Sequence, residues 1–138
     1  MNIEVRFFSR SGNTGKVADA IAKAAGVEAK DCNVPIIEQV DLLFLGASVY
    51  GGGIDKSLKE FIEKLDPKNV KCVALFGTSA IAKRPEKEPE KMLLEKNISI
   101  AQRRFYCRGA FTIMHRGRPN AGDLNQAAEF ALEVIKSC

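Results

Sequence analysis

"SRSGNTGKV", residues 9–17, follows the apolar run Ile3 to Phe8 and leads into Val17, Ala18, Ile21, Ala22 and Ala25 at helical spacing, with Gly26 as a stop. A strand therefore hands over to a helix through a sharp turn. Hydroxyls, an amide side chain, two glycines and two cations crowd into that turn, which is the chemistry of a phosphate cradle. An anion placed on a helix N-terminus meets unpaired N–H groups and the positive end of the dipole. Ser9, Ser11 and Thr14 add hydroxyl donors, Asn13 adds its amide, and Gly12 lets the backbone come close. Thr14 is the expected N-cap, yet a cap needs one such residue and leaves the rest of the set unexplained.

Several phosphate loops compete for these letters. A Walker A loop needs GxxxxGK followed by Ser or Thr, whereas Gly15-Lys16 is followed by Val17 and the first required glycine falls at Arg10. GxGxxG, the dinucleotide fingerprint, is absent. No cysteine lies in the loop, so a thiol phosphatase would have no nucleophile.

Outward from the turn, the strand and helix pattern repeats. "VEAKDCNV" (27–34) reads as a polar second strand at or near an edge, and "DLLFLGAS" (41–48) as a strand buried on both faces. Leu58, Phe61, Ile62 and Leu65 mark a helix ending near Asp66-Pro67. "VKCVALFGTS" (70–79) is the fourth strand, and a helix runs from around Pro89 through Met92, Leu93 and Leu94. "RRFYCRGAF" (103–111) is the last strand candidate. After it, "GRPNAGDL" leads into a terminal helix with Leu124, Ala127, Ala128, Ala131, Leu132 and Ile135 on one side. Such alternation predicts an α/β, doubly wound, three-layer sandwich: a five-stranded parallel sheet with helices on both faces. One link fits poorly. "PIIEQV" is too short for a crossover of about 10 to 12 residues, so a single turn or an irregular loop is expected there.

The 138 residues fit one domain, 1–138. No basic, apolar leader opens the chain and no stretch of about 18 apolar residues occurs, which leads us to expect a cytoplasmic protein without a membrane span. Cys32, Cys72, Cys107 and Cys138 lack metal or CxxC spacing and read mainly as small core residues. The net charge of +4 comes without Trp or aromatic interleaving, against nucleic-acid binding. Lys83, Arg84, Lys87 and Lys91 alternate with Glu86, Glu88, Glu90 and Glu95 as a solvated helix face. His115, the sole histidine, has no Ser/Asp arrangement around it, and no residues fall at metal-ligand spacing.

Three expected strands end in small, hydroxylated or aromatic residues: "SRSGNT", "GASVYGGG" and "GTSAIAKR". In a doubly wound sheet these loops converge beyond the carboxyl ends of the strands. Taken together they resemble the flavodoxin family, whose first loop alternates hydroxyl residues and ends Gly-x-Thr, as Ser9, Ser11, Gly12 and Thr14 do. The resemblance covers nearly the whole chain, at short-chain length, and implies sheet order 2-1-3-4-5 and bound FMN. Ser9, Arg10, Ser11, Gly12, Asn13 and Thr14 would wrap its phosphate. Ser48, Val49, Tyr50, Gly51, Gly52 and Gly53 would form the flavin loop, with Tyr50 against the ring and the Gly51-Gly52 carbonyl turning toward flavin N5. Thr78, Ser79 and Ala80 would line the pyrimidine edge.

Two features depart from the family pattern. The loop after the fourth strand has Ile81 but no aromatic residue to cover the outer ring face. The chain is also net basic where electron-carrying flavodoxins are usually acidic, with Arg10 and Lys16 beside the phosphate loop and Arg84, Arg116 and Arg118 on a possible rim. Cations favour an anionic reduced flavin, so a second-electron potential less negative than in acidic flavodoxins is expected, to be read by redox titration. The resemblance implies electron transfer with a redox partner protein or a small donor or acceptor such as NAD(P)H or a quinone, as monomer or dimer. A small NAD(P)H-dependent flavin or quinone reductase and a flavodoxin-fold module without FMN are the alternatives.

Overall fold

The strands form one parallel sheet, the central ones from continuous apolar runs. They are β1 (Ile3–Phe7), β2 (Ala29–Asp31), β3 (Leu42–Val49), β4 (Cys72–Ser79), β5 (Ser99–Ile100) and β6 (Phe105–Arg108), interleaved with helices α1 (Asn13–Ala25), α2 (Lys56–Glu63), α3 (Lys87–Glu95) and α4 (Ala121–Ser137). The computed structural model describes residues 1–9, 12–49, 54–79, 86–108 and 117–137. The strands lie in the order β2-β1-β3-β4, with β5 and β6 both pairing along the outer edge of β4. The expected order holds, but its last position is shared by two short segments. Between Val73 and Phe76 β4 has two residues, while between their partners Ile100 and Phe105 the edge has four, so the edge strand breaks there. An interrupted edge blunts pairing with other chains.

Each central strand buries both faces. Leu43, Leu45, Val73 and Leu75 meet α2 and α3 through Leu58, Phe61, Ile62 and Leu93. On the opposite face Val5, Leu42, Phe44, Ala74 and Phe76 meet α1 and α4 through Val17, Ile21, Phe130 and Val134. The ring of Phe44 stands edge-on to Phe130 at 5.9 Å, a favourable aromatic geometry. The inward stripe of α4 is Ala127, Phe130, Ala131 and Val134, so Leu132 is on the outside, 49% exposed, contrary to the sequence expectation. The helix is rich in apolar residues around its circumference, and the bulk of Phe130 against Phe44 decides which side turns in.

The link between β2 and β3 is irregular, as its length requires. Arg6 of β1, 2% exposed, holds it: Nε donates to the Val34 carbonyl at 2.9 Å and Nη2 lies 3.4 Å from that of Pro35 and 3.0 Å from Glu4 Oε1. A guanidinium thus satisfies carbonyls that a crossover helix would have paired internally. Cys32, where this link begins, is buried, and burial together with Asp31 pushes its thiol up to about 11. Burial raises Cys107 to about 11 as well, and both thiols stay protonated at neutral pH and act as small packing groups. Among the described residues no helix is long and apolar enough to cross a membrane.

Candidate functional site

The carboxyl ends of β1, β3 and β4 lie side by side because these strands are sheet neighbours, with Phe7 opposite Gly46 and Gly46 opposite Phe76. Two glycines permit this close approach. A Cβ on Gly46 would stand 2.4 Å from the Phe76 ring, and one on Gly77 would stand 2.0 Å from the Ala47 carbonyl oxygen.

The head of α1 lacks the usual stabilisers of a helix start. Its N-cap is Gly12, in the left-handed region at φ 87°, with no side-chain cap, no acidic residue in the first turn and exposed Lys16 close by. A non-glycine residue would be strained at Gly12. The other helices carry acidic groups at their starts: the Asp55 carboxylate accepts from the Ser57 N–H at 2.9 Å, Glu88 and Glu90 stand in the first turn of α3, and Asp123 in that of α4. Positive charge at a helix N-terminus opposes the dipole and suits an external anion.

Thr14 is not the N-cap that its position suggested. It lies inside the first turn, fully buried, with its hydroxyl oxygen 2.5 Å from Ser48 Oγ and 2.8 Å from Thr78 Oγ1. Ser48 and Thr78 are register partners on β3 and β4, so their side chains point to the same face and meet Thr14 together. Three hydroxyls contributed by three chain segments thereby tie the helix head to both central strands. Ser9 Oγ, at the end of β1, is buried with no hydrogen-bond partner among the described residues. A buried orphan hydroxyl is costly unless a ligand uses it. Asn13 and Ser79 are also buried at this edge, and the backbone of Val49 pairs with Ser79. Arg10, Ser11, Tyr50, Gly51, Gly52, Gly53 and Ala80 lie outside the described residues, as do Ile81, Arg84, His115 and Arg116.

Sequence reasoning missed what happens before α4. Asn120 and Asp123 cap each other: Asp123 Oδ2 accepts from the Asn120 N–H at 2.8 Å, and Asn120 Oδ1 from the Asp123 N–H at 2.9 Å. The spacing of the two residues was the available signal. Arg118, expected on a basic rim, instead forks onto Asp123, with Nη2 donating to Oδ1 at 2.7 Å. The guanidinium holds the Asp123 carboxyl below its ordinary value. A depressed folded pKa gives stability that is present above the unfolded value near about 3.9 and is lost as pH falls through the folded one. Asp123→Asn should therefore unfold at lower urea than wild type at pH 7, and the gap should close near pH 2; an equal gap at both would show that the ion pair contributes nothing.

The sequence of residues 5–114 matches the family model described as the flavodoxin domain. The chain is 28% identical over 139 residues to an uncharacterized protein of Methanocaldococcus jannaschii, covering 91% of each. It is 33% identical over 87 residues to a flavodoxin of Clostridium beijerinckii, covering 55% of this chain and 63% of that one. A solved flavodoxin from the domain Archaea superposes with a TM-score of 0.81 at 16% identity, covering 99% of this chain and 98% of the other, a likeness of fold. With the family model spanning most of its length and the sheet order and adjacent strand ends in agreement, the chain belongs to the flavodoxin domain family.

Proposed function

We propose that the chain is a single-domain, cytoplasmic electron-transfer protein that binds FMN non-covalently. The observation that carries the reading is the head of α1: uncapped, without an acid, flanked by Lys16, and set beside the partnerless Ser9 hydroxyl. Each of these is a cost to the protein alone and a gain with a phosphate present. Family membership independently implies a flavin.

When bound, FMN supplies one- and two-electron transfer, and the protein supplies position and field. Ser9, Ser11, Gly12, Asn13 and Thr14 hold the phosphate, with Arg10 and Lys16 contributing charge. Ser48, Val49 and Thr78, Ser79 and Ala80 shape the two strand ends that flank the flavin, with Tyr50 against it and Gly51 to Gly53 giving the loop its freedom to turn. The net charge of +4 favours a redox partner of acidic character.

The test compares FMN with riboflavin, which lacks the phosphate. Wild-type protein should bind FMN far more tightly, by absorbance and fluorescence titration. Ser9→Ala should weaken FMN by about 10- to 100-fold, the worth of a hydrogen bond to a charged group, and leave riboflavin unchanged. Its apo-protein should be as stable as wild type or more so, since an unsatisfied buried hydroxyl has gone. Absence of binding to either flavin would overturn the reading, and equal losses for both would move the phosphate elsewhere. Steady oxidation of NAD(P)H with a quinone acceptor would make the protein a reductase.

A further inference from the structure

We infer that Thr78, in the body of the sheet, is a positioning residue for the phosphate, acting through Thr14 by fixing the direction in which the hydroxyl cluster presents its one spare proton. This rests on the FMN reading and adds a residue in the sheet that no phosphate reaches directly.

The argument is a count of protons. A hydroxyl carries one donor and two acceptor sites. Thr14 Oγ1 lies within hydrogen-bond distance of both Ser48 Oγ and Thr78 Oγ1. Two bonds among three hydroxyls consume two protons and leave one. Thr78 is fully buried and Thr14 is its hydrogen-bonding neighbour among the described residues. If Thr78 held the spare proton, a buried donor would be left without a partner. The arrangement free of that defect has Thr78 donating to Thr14. Thr14 is fully buried as well, so the same defect is avoided when it donates to Ser48. The spare proton then falls on Ser48, which is only half-buried at the end of β3. There it is available at the carboxyl edge, where the N–H groups of α1 also collect.

Such a cluster matches a phosphate ester dianion, which accepts hydrogen bonds and donates none. Removing the Thr78 hydroxyl leaves Thr14 with an unfilled lone pair in a buried site. Thr14 then turns to satisfy itself against Ser48, and the outward donor is no longer held ready. The shape of Thr78 is not what matters here, so an isosteric change isolates the hydroxyl.

The experiment measures the ratio of riboflavin to FMN dissociation constants in wild type, Thr78→Val and Thr78→Ser. Thr78→Val should reduce the phosphate advantage by about tenfold, while any change that it makes at the strand ends beside the ring falls on both flavins alike and cancels in the ratio. Thr78→Ser should restore the advantage, because it returns the hydroxyl and loses only a methyl. A Thr78→Val protein with undiminished preference for FMN would overturn the inference while leaving the FMN reading intact. Parallel loss of both flavins, or failure of Thr78→Ser to recover, would make Thr78 a packing residue and overturn it as well. A wild type with no preference for FMN would overturn the FMN reading and this inference together.

Discussion

Gly77→Ala should lose about 3 kcal/mol or more of stability and much of the affinity for FMN, although it adds a single methyl group to the centre of a strand. The added Cβ would stand 2.0 Å from the carbonyl oxygen of Ala47 and 3.0 Å from the Tyr106 ring. Side chains can rotate away from an intruder, but a carbonyl fixed in a ladder cannot, so β3 and β4 must separate. That separation shifts Ser48 against Thr78 and pulls the hydroxyl cluster apart. A domain of this size has a net stability on the order of 5 to 15 kcal/mol, so the loss is a large fraction of it. Gly12→Ala serves as the contrast: nothing lies within 4 Å of its Cβ, and its cost comes only from the left-handed backbone, about 1 to 2 kcal/mol. Urea midpoints of both variants check this. A Gly77→Ala protein within about 1 kcal/mol of wild type, with FMN affinity retained, would show that the sheet absorbs the methyl without opening.

What sequence reading recovered and what it missed divide along the length scale of the interaction. The strand runs 41–48 and 70–79 are legible because burial on both faces demands unbroken apolar residues, and Leu58, Phe61, Ile62 and Leu65 are legible because one helix face must be apolar. The polar loop 9–14 stands out because a helix cap accounts for only one of so many donors in one turn. Thr14 was misassigned because its partners lie 34 and 64 residues away, where no local rule reaches. The two-residue strand Ser99–Ile100 carries too little pattern to be seen beside "RRFYCRGAF". Arg6 lies within the run Ile3 to Phe8 and nothing local marks it out; its buried role depends on where Val34 and Pro35 fold back.

That buried arginine gives the second large effect. Arg6→Met should destabilise the protein by about 3 to 5 kcal/mol, the combined cost of taking a buried guanidinium away from three carbonyls and from a part-buried carboxylate. The methionine fills much of the same space, so lost packing is not the main term. The loss comes from the Val34, Pro35 and Val5 carbonyls, which lose the guanidinium as donor, and from Glu4, whose carboxylate loses it at 3.0 Å. Arg6→Lys should recover little, because one ammonium cannot span the positions that the planar fork reaches. Glu4→Gln combined with Arg6→Met should be less damaging than the two separate losses added, since the uncompensated carboxylate is gone. Hydrogen exchange should locate the damage, with the amides of Val34 and Val40, bonded to the Asp31 and Asn69 carbonyls, opening first. FMN affinity should hold below the melting temperature, because the Arg6 bonds reach the β2 to β3 link and not the head of α1. A variant as stable as wild type would mean that water replaces the guanidinium at no cost. One that loses FMN while staying folded would mean that this link and the phosphate loop are coupled through β1, which joins Arg6 to Ser9.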